Sequence, residues 1–132
     1  MHKGLVVLII VLSIVLLAGG IYVHSVSKGL TEEEPVPYDP GDVFITNLKD
    51  GSGLVKVRLM LELKNKKAAE NLTKVNYRLR DSIISVLREI TREDAAKSDI
   101  AETLKKDIIR KVGEDLGSED IVGVYFQEII VQ

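Results

Sequence analysis

The stretch Leu5 to Val23, LVVLIIVLSIVLLAGGIYV, is apolar and uncharged, interrupted only by Ser13 and the pair Gly19-Gly20. As a helix rising roughly 1.5 Å per residue it measures about 30 Å, the hydrocarbon thickness of a bilayer. Whatever follows it is expected to work tethered to a membrane surface. The rival reading is a cleaved signal peptide, with Met1-His2-Lys3 as the charged start and Ala18-Gly19-Gly20 as a small-residue cleavage site. Secretory apolar regions usually run about 7 to 15 residues, so the longer run favours an uncleaved anchor. Gly19-Gly20 lacks a GxxxG spacing and says little about helix packing. Lys3 and the free amino group precede the span, whereas Lys28 is followed by Glu32-Glu33-Glu34. Basic residues near a span stay in the cytoplasm, so the N-terminus is expected inside and everything after Val23 outside. The expected organisation is a cytoplasmic start over 1–4, the span over 5–23, a Pro-rich acidic linker over 24–40 and an outer domain over 41–132.

The outer part has room for one small domain. Residues 41–132 hold sixteen basic and sixteen acidic side chains, and the formal charge of -2 arises outside them. A balanced domain lacks the surplus of Lys and Arg that nucleic-acid binding requires. There is no cysteine, hence neither a disulfide framework nor a thiol nucleophile. In the linker, HSVSKGLTEEEPVPYDP, Pro35, Pro37 and Pro40 fix their own backbone angles and bias their predecessors towards extended conformations. It reads as a semi-rigid spacer able to lift the domain tens of ångströms from the bilayer, at up to about 3 Å per residue. Glu32 to Glu34 are expected to be repelled by anionic headgroups, which favours standing off.

Asp42 to Leu48 alternates and is followed by KDGSG, a strand entering a hairpin. Leu54 to Leu63 alternates almost strictly, placing Val55, Val57, Leu59, Leu61 and Leu63 on a core face and Lys56, Arg58, Met60 and Glu62 on the other. From Ala68 to about Thr91 the apolar residues recur every three or four positions, which predicts one amphipathic helix of about six turns. After REDAAKSD, with Ser98 or Asp99 as the cap, a second helix carries Ile100, Leu104, Ile108, Val112 and Leu116, and Gly117 is placed to end it. Ile121 to Gln132 is apolar on both faces apart from Gln127 and Glu128. Such a strand is usually central in its sheet, or covered by helices on one side and another subunit on the other. The order strand, strand, helix, helix, strand predicts a small α+β domain with the last strand beside one of the first two.

The catalytic inventory is empty. His2 and His24 flank the span, and HExxH, G-x-S-x-G and P-loop patterns are absent. Glu93-Asp94 and Glu114-Asp115 sit at helix ends, where solvation explains carboxylates. The sequon Asn71-Leu72-Thr73 falls inside a helix with Leu72 in its core stripe, and reads as chance. Tyr77 and Tyr125 are expected to pack. No catalytic, cofactor-binding or metal-ligating residue is assigned, and no small-molecule substrate or nucleic acid is expected. The chain reads as a binding or scaffolding module.

Taken in order, the pieces resemble the flagellar basal-body-associated FliL family. The likeness runs through the single span and spacer, Phe44-Ile45-Thr46-Asn47-Leu48 before the alternating strand, and Arg80-Asp81-Ser82-Ile83-Ile84 in the first helix. It continues with Leu104-Lys105-Lys106-Asp107-Ile108 in the second helix, then Val124-Tyr125-Phe126 and the closing Ile130-Val131-Gln132. The resemblance implies an inner-membrane protein of motile bacteria whose periplasmic domain has an SPFH, stomatin-like fold. It also implies a homo-oligomeric ring around the flagellar stator units, stabilising their active state and so supporting torque, motility and chemotaxis. Candidate subunit or partner contacts are Lys56, Arg58, Met60 and Glu62 on the second strand and Tyr125, Ile129 and Val131 on the last. The alternative is a membrane-anchored SPFH-like scaffold that organises a different membrane complex.

Overall fold

The computed structural model describes residues 2–29 and 33–132, in two compact units with their boundary between Glu33 and Glu34. Residues 1 and 30–32, parts of the expected cytoplasmic start and spacer, lie outside the described residues. The first unit is a single helix, α1, His2–Gly29. Within His2–His24 the most apolar 18 residues have mean hydropathy 3.0 and none of them is buried, so the helix has the length and composition to cross a membrane.

The second unit is α+β. Its elements are β1 (Val36–Tyr38), β2 (Phe44–Asn47), β3 (Leu54–Leu63), α2 (Lys66–Lys74), α3 (Asn76–Leu87), α4 (Arg92–Ala95), α5 (Ile100–Leu116) and β4 (Ile121–Val131). All strand pairs are antiparallel and β3 is the hub. On one side of β3, Leu61–Leu63 meets β1 and Leu54–Val57 meets β2; on the other, β4 runs along its whole length. The β2–β3 hairpin forms where the sequence places it, with Gly51 at φ 70° and Leu48 N–H donating to Gly53 O at 2.9 Å. Alternation on β3 holds residue for residue: Val55, Val57, Leu59, Leu61 and Leu63 are buried against α3 and α5 residues such as Leu79, Ile83, Leu104 and Ile108. Each such side chain contributes roughly 1.5–3 kcal/mol over leaving it exposed.

Four expectations change. The spacer is shorter than predicted, because α1 continues to Gly29 and Val36–Tyr38 already pairs with β3. Proline is tolerated in β1 because this short strand lies at the sheet margin, where Pro37 need not donate to a neighbour on both sides. Second, the six-turn helix is two helices broken at Val75 (φ -122°, ψ 24°). There Asn76 Nδ2 donates to Pro40 O at 3.1 Å while its Oδ1 accepts from Tyr38 Oη at 2.9 Å, fixing the junction to the β1–β2 connection. Third, of the two placements expected for β4 the central one is not taken: among the described residues it pairs with β3 alone. Fourth, REDA is a turn of helix with its own capping box, Thr91 Oγ1 accepting from Asp94 N–H at 3.1 Å and Asp94 Oδ2 from Thr91 N–H at 3.2 Å.

Gly117 ends α5 as expected, at φ 64° with its N–H donating to Gly113 O. Asp99 occupies the N-cap position without a side-chain cap bond. Two polar ties hold the layers in place. Arg80 lies 4.2 Å over the Phe44 ring and donates to Pro40 O and Asp42 O. Buried Ser82 on α3 donates to Asp115 Oδ2 on α5 at 2.6 Å.

Candidate interaction surface

The helices cover one face of the sheet, so the opposite face is where a partner can reach the domain. β3 presents Lys56, Arg58, Met60 and Glu62 there, as its alternation requires. Lys56 Nζ forms an ion pair with Glu128 Oε1 at 3.2 Å, Arg58 Nε donates to the neutral amide Oε1 of Gln127 at 3.1 Å, and Glu62 offsets Arg58 in sign on the same face. Exposed pairs of this kind contribute about 0–1 kcal/mol, and their main effect is to leave the surface nearly neutral.

Tyr125 stands opposite Met60 on this same open face and is 53 % exposed. Its ring covers Gly123, where an added Cβ would meet Tyr125 Cε2 at 2.9 Å. Ile129 and Val131 do not share that face. They stand opposite Val57 and Val55 and pack against the core. The cause is a β-bulge: Arg58 pairs with Glu128 and Leu59 with Phe126, so Gln127 is the extra residue and the two-residue period shifts by one beyond it. Ile130 takes the outward place, 37 % exposed.

The open face has apolar members that the candidate set lacks. Ile45 on β2 and Ile130 on β4 both stand opposite Lys56, one on each side, and Ile45 is 60 % exposed. Leu54 is exposed at the adjoining end of β3. The alternation Phe44 in, Ile45 out was available to a sequence reading; the bulge was not. Beyond this face, β4 offers an edge of eleven residues, unpaired among the described residues and without proline or lysine, two residues that commonly blunt such edges. A groove lined in part by Ile109, Gly113 and Ile121 adjoins its first residues. Neither tyrosine expected to pack does so fully: Tyr77 is 72 % exposed.

Hydrogen bonding holds several of the domain's carboxylates below the usual range. Asp94 is held at about 2 by Lys97 and Thr91, and Asp115 is held low by Lys111 and Ser82. Asp120 is held low by Lys64 and Ser118. All three are partners of cations or hydroxyls at element ends, a structural use of charge. Among the described residues no group of three His, Cys, Asp or Glu is placed to hold a metal ion.

An open, nearly neutral face on a small α+β domain suits association. The family model described as flagellar basal body-associated protein FliL matches residues 38–132. The chain belongs to the FliL family. The match begins at Tyr38 in β1 and covers both the helical layer and the open face. A FliL relative, the flagellar protein FliL of Aquifex aeolicus (strain VF5), is 26 % identical over 102 residues. The alignment takes in 76 % of this chain and 63 % of the relative, so the chain spans less than two thirds of that FliL protein's length.

Proposed function

We propose that this FliL-family chain is a single-pass inner-membrane protein with a cytoplasmic N-terminus. Its periplasmic domain forms a homo-oligomeric ring around flagellar stator units, holds their active state and so supports torque, motility and chemotaxis. The observation that carries this is the sheet: helices cover one face, while the other exposes Ile45, Tyr125, Ile130 and Leu54 beside the free β4 edge. A surface of that kind gains stability when a neighbour removes it from water. The apolar helix α1 supports membrane anchoring. The α+β order supports an SPFH-like fold for the domain. No chemistry is asked of the protein. A ring that binds the active stator better than the inactive one raises the active share by the ratio of the two affinities, and a ring that binds both equally changes nothing.

The test is purification of the full-length protein from detergent-solubilised membranes, with mass spectrometry and particle imaging. Rings that carry stator subunits are expected, and Ile45→Asp with Tyr125→Asp should leave a folded, membrane-bound chain that no longer assembles. Rings around a different membrane complex would transfer the scaffold role to that complex. A monomer under several mild detergents would refute assembly altogether.

A further inference from the structure

The face of α2 is charged in a way that the fold does not use. Lys66, Lys67 and Lys74 are exposed and α2 carries a single acid, Glu70. Elsewhere in the domain Lys49, Lys56, Lys64, Lys97, Lys105 and Lys111 each hold a carboxylate, and Lys106 on α5 is a single unpaired lysine among the described residues rather than one of a cluster. Among the described residues the three lysines of α2 hold none. Lys66 and Lys67 also open the helix, with no acid in its first turn, so they oppose the helix dipole. A local rule broken without local compensation is commonly found at functional surfaces. Tyr77, three residues beyond Lys74, adds an exposed ring with a polar tip, the residue type that settles at the level of lipid headgroups.

The start of α2 lies near the point where the tether joins the domain. The first residue of β1, Val36, pairs with the last of β3, Leu63, and α2 starts at Lys66. Val36 follows Gly29, the end of α1, by seven residues, which span at most about 25 Å when fully extended. With α1 in a bilayer, α2 therefore begins beside the point where the tether enters the domain. Its charges are spread along about 12 Å of helix, which fits a charged plane better than a compact ligand. We propose that this face of α2, through Lys66, Lys67 and Lys74, together with Tyr77 in the first turn of α3, docks on anionic lipid headgroups at the surface of the membrane that α1 spans. Glu33 and Glu34 are exposed on the tether and work against contact there, so the attraction comes from the helix face. Each lysine near an anionic surface raises the docked population roughly fivefold, an effect that salt screens.

The proposal rests on anchoring by α1, and the experiment separates the two. The chain has no tryptophan, so Tyr77→Trp gives a single reporter. The full chain is reconstituted in nanodiscs of phosphatidylcholine, or of phosphatidylcholine with phosphatidylglycerol, each doped with a headgroup-spin-labelled quencher. The introduced indole should be quenched more in the phosphatidylglycerol discs, and the excess should vanish in 0.5 M salt, about a 4 Å Debye length, or on changing Lys66, Lys67 and Lys74 to Gln. Changing Lys105 and Lys106 to Gln should leave it intact. Equal quenching in both discs, with the protein still co-eluting with them, would overturn the proposal and leave the lysines to an acidic protein partner. Loss of the excess in the Lys105/Lys106 variant would also overturn it, as a bulk charge effect. Failure to enter the discs at all would remove the anchor, and the proposal with it.

Discussion

Gly53 is the position at which a single added carbon should do the most damage per atom. It immediately precedes β3, whose first residue Leu54 donates its N–H to Gln132 O at 2.8 Å and accepts the Gln132 N–H at 2.9 Å. A Cβ on residue 53 would lie 1.8 Å from Gln132 O and 2.8 Å from its carbonyl carbon. Those are backbone atoms and cannot swing aside, so Gly53→Ala must drive the end of β4 away from β3. Two backbone hydrogen bonds at about 0.5–1.5 kcal/mol each are lost, or roughly 2 kcal/mol in all. For a domain of this size that lowers Tm by about 8–16 °C. The assay is thermal unfolding of the full chain in nanodiscs by circular dichroism, with hydrogen exchange to locate the change. Faster exchange at the Leu54 and Gln132 amides is expected, with protection at Leu59 and Leu61 retained. A Gly53→Ala protein that melts within about 1 °C of wild type, with Leu54 still protected, would refute the reasoning.

Other outcomes follow from the same geometry. Leu59→Ala, at the middle of the hub strand, should cost about 2–5 kcal/mol in a denaturant titration, as large-to-small changes in a packed core do. Thr91→Ala removes the cap of α4 and should cost about 1 kcal/mol by the same measurement. Ile129→Asp places a charge on the core side and should lower the midpoint of unfolding well below that of Ile130→Asp, whose side chain faces out. Asp94 falls from 3.8 in an isolated side chain to about 2 when folded, so its contribution is fully present above about pH 4 and is lost as pH falls towards 2. Melts from pH 6 to pH 2 should therefore show a steeper acid fall for wild type than for Asp94→Asn.

The sequence made the sheet's interior plain because β3 keeps strict alternation, and a two-residue period survives any tertiary context that buries one face. It made α5 plain for a similar reason, from Leu104, Ile108 and Val112 to the stop at Gly117. The break at Val75 was hidden because one non-helical residue leaves the three- and four-residue spacing nearly in phase. Its cause is the contact of Asn76 with Tyr38 and Pro40, far away in the chain. The bulge at Gln127 was hidden because β4 is apolar on both sides, so a slip of one residue changes no visible pattern. That is why the alternation alone does not separate Tyr125 from Ile129 and Val131, or place Ile130 on the open face. The linker misled because three prolines suggest a spacer, whereas a marginal strand accepts one.

The pairing of β3 with β4 also governs the order in which this protein can be made. β3 meets β1 and β2 through nearby residues, but its other side pairs Leu63 with Ile121 and Val55 with Val131, across the whole helical layer. Closing so long a loop places the domain among the slower folders, on the scale of milliseconds to seconds. Until residue 131 has been synthesised and has reached the same compartment, one side of the hub strand is an open template for unrelated strands. The helical layer between β3 and β4 is therefore both the core of the finished domain and the delay during which the growing chain needs protection.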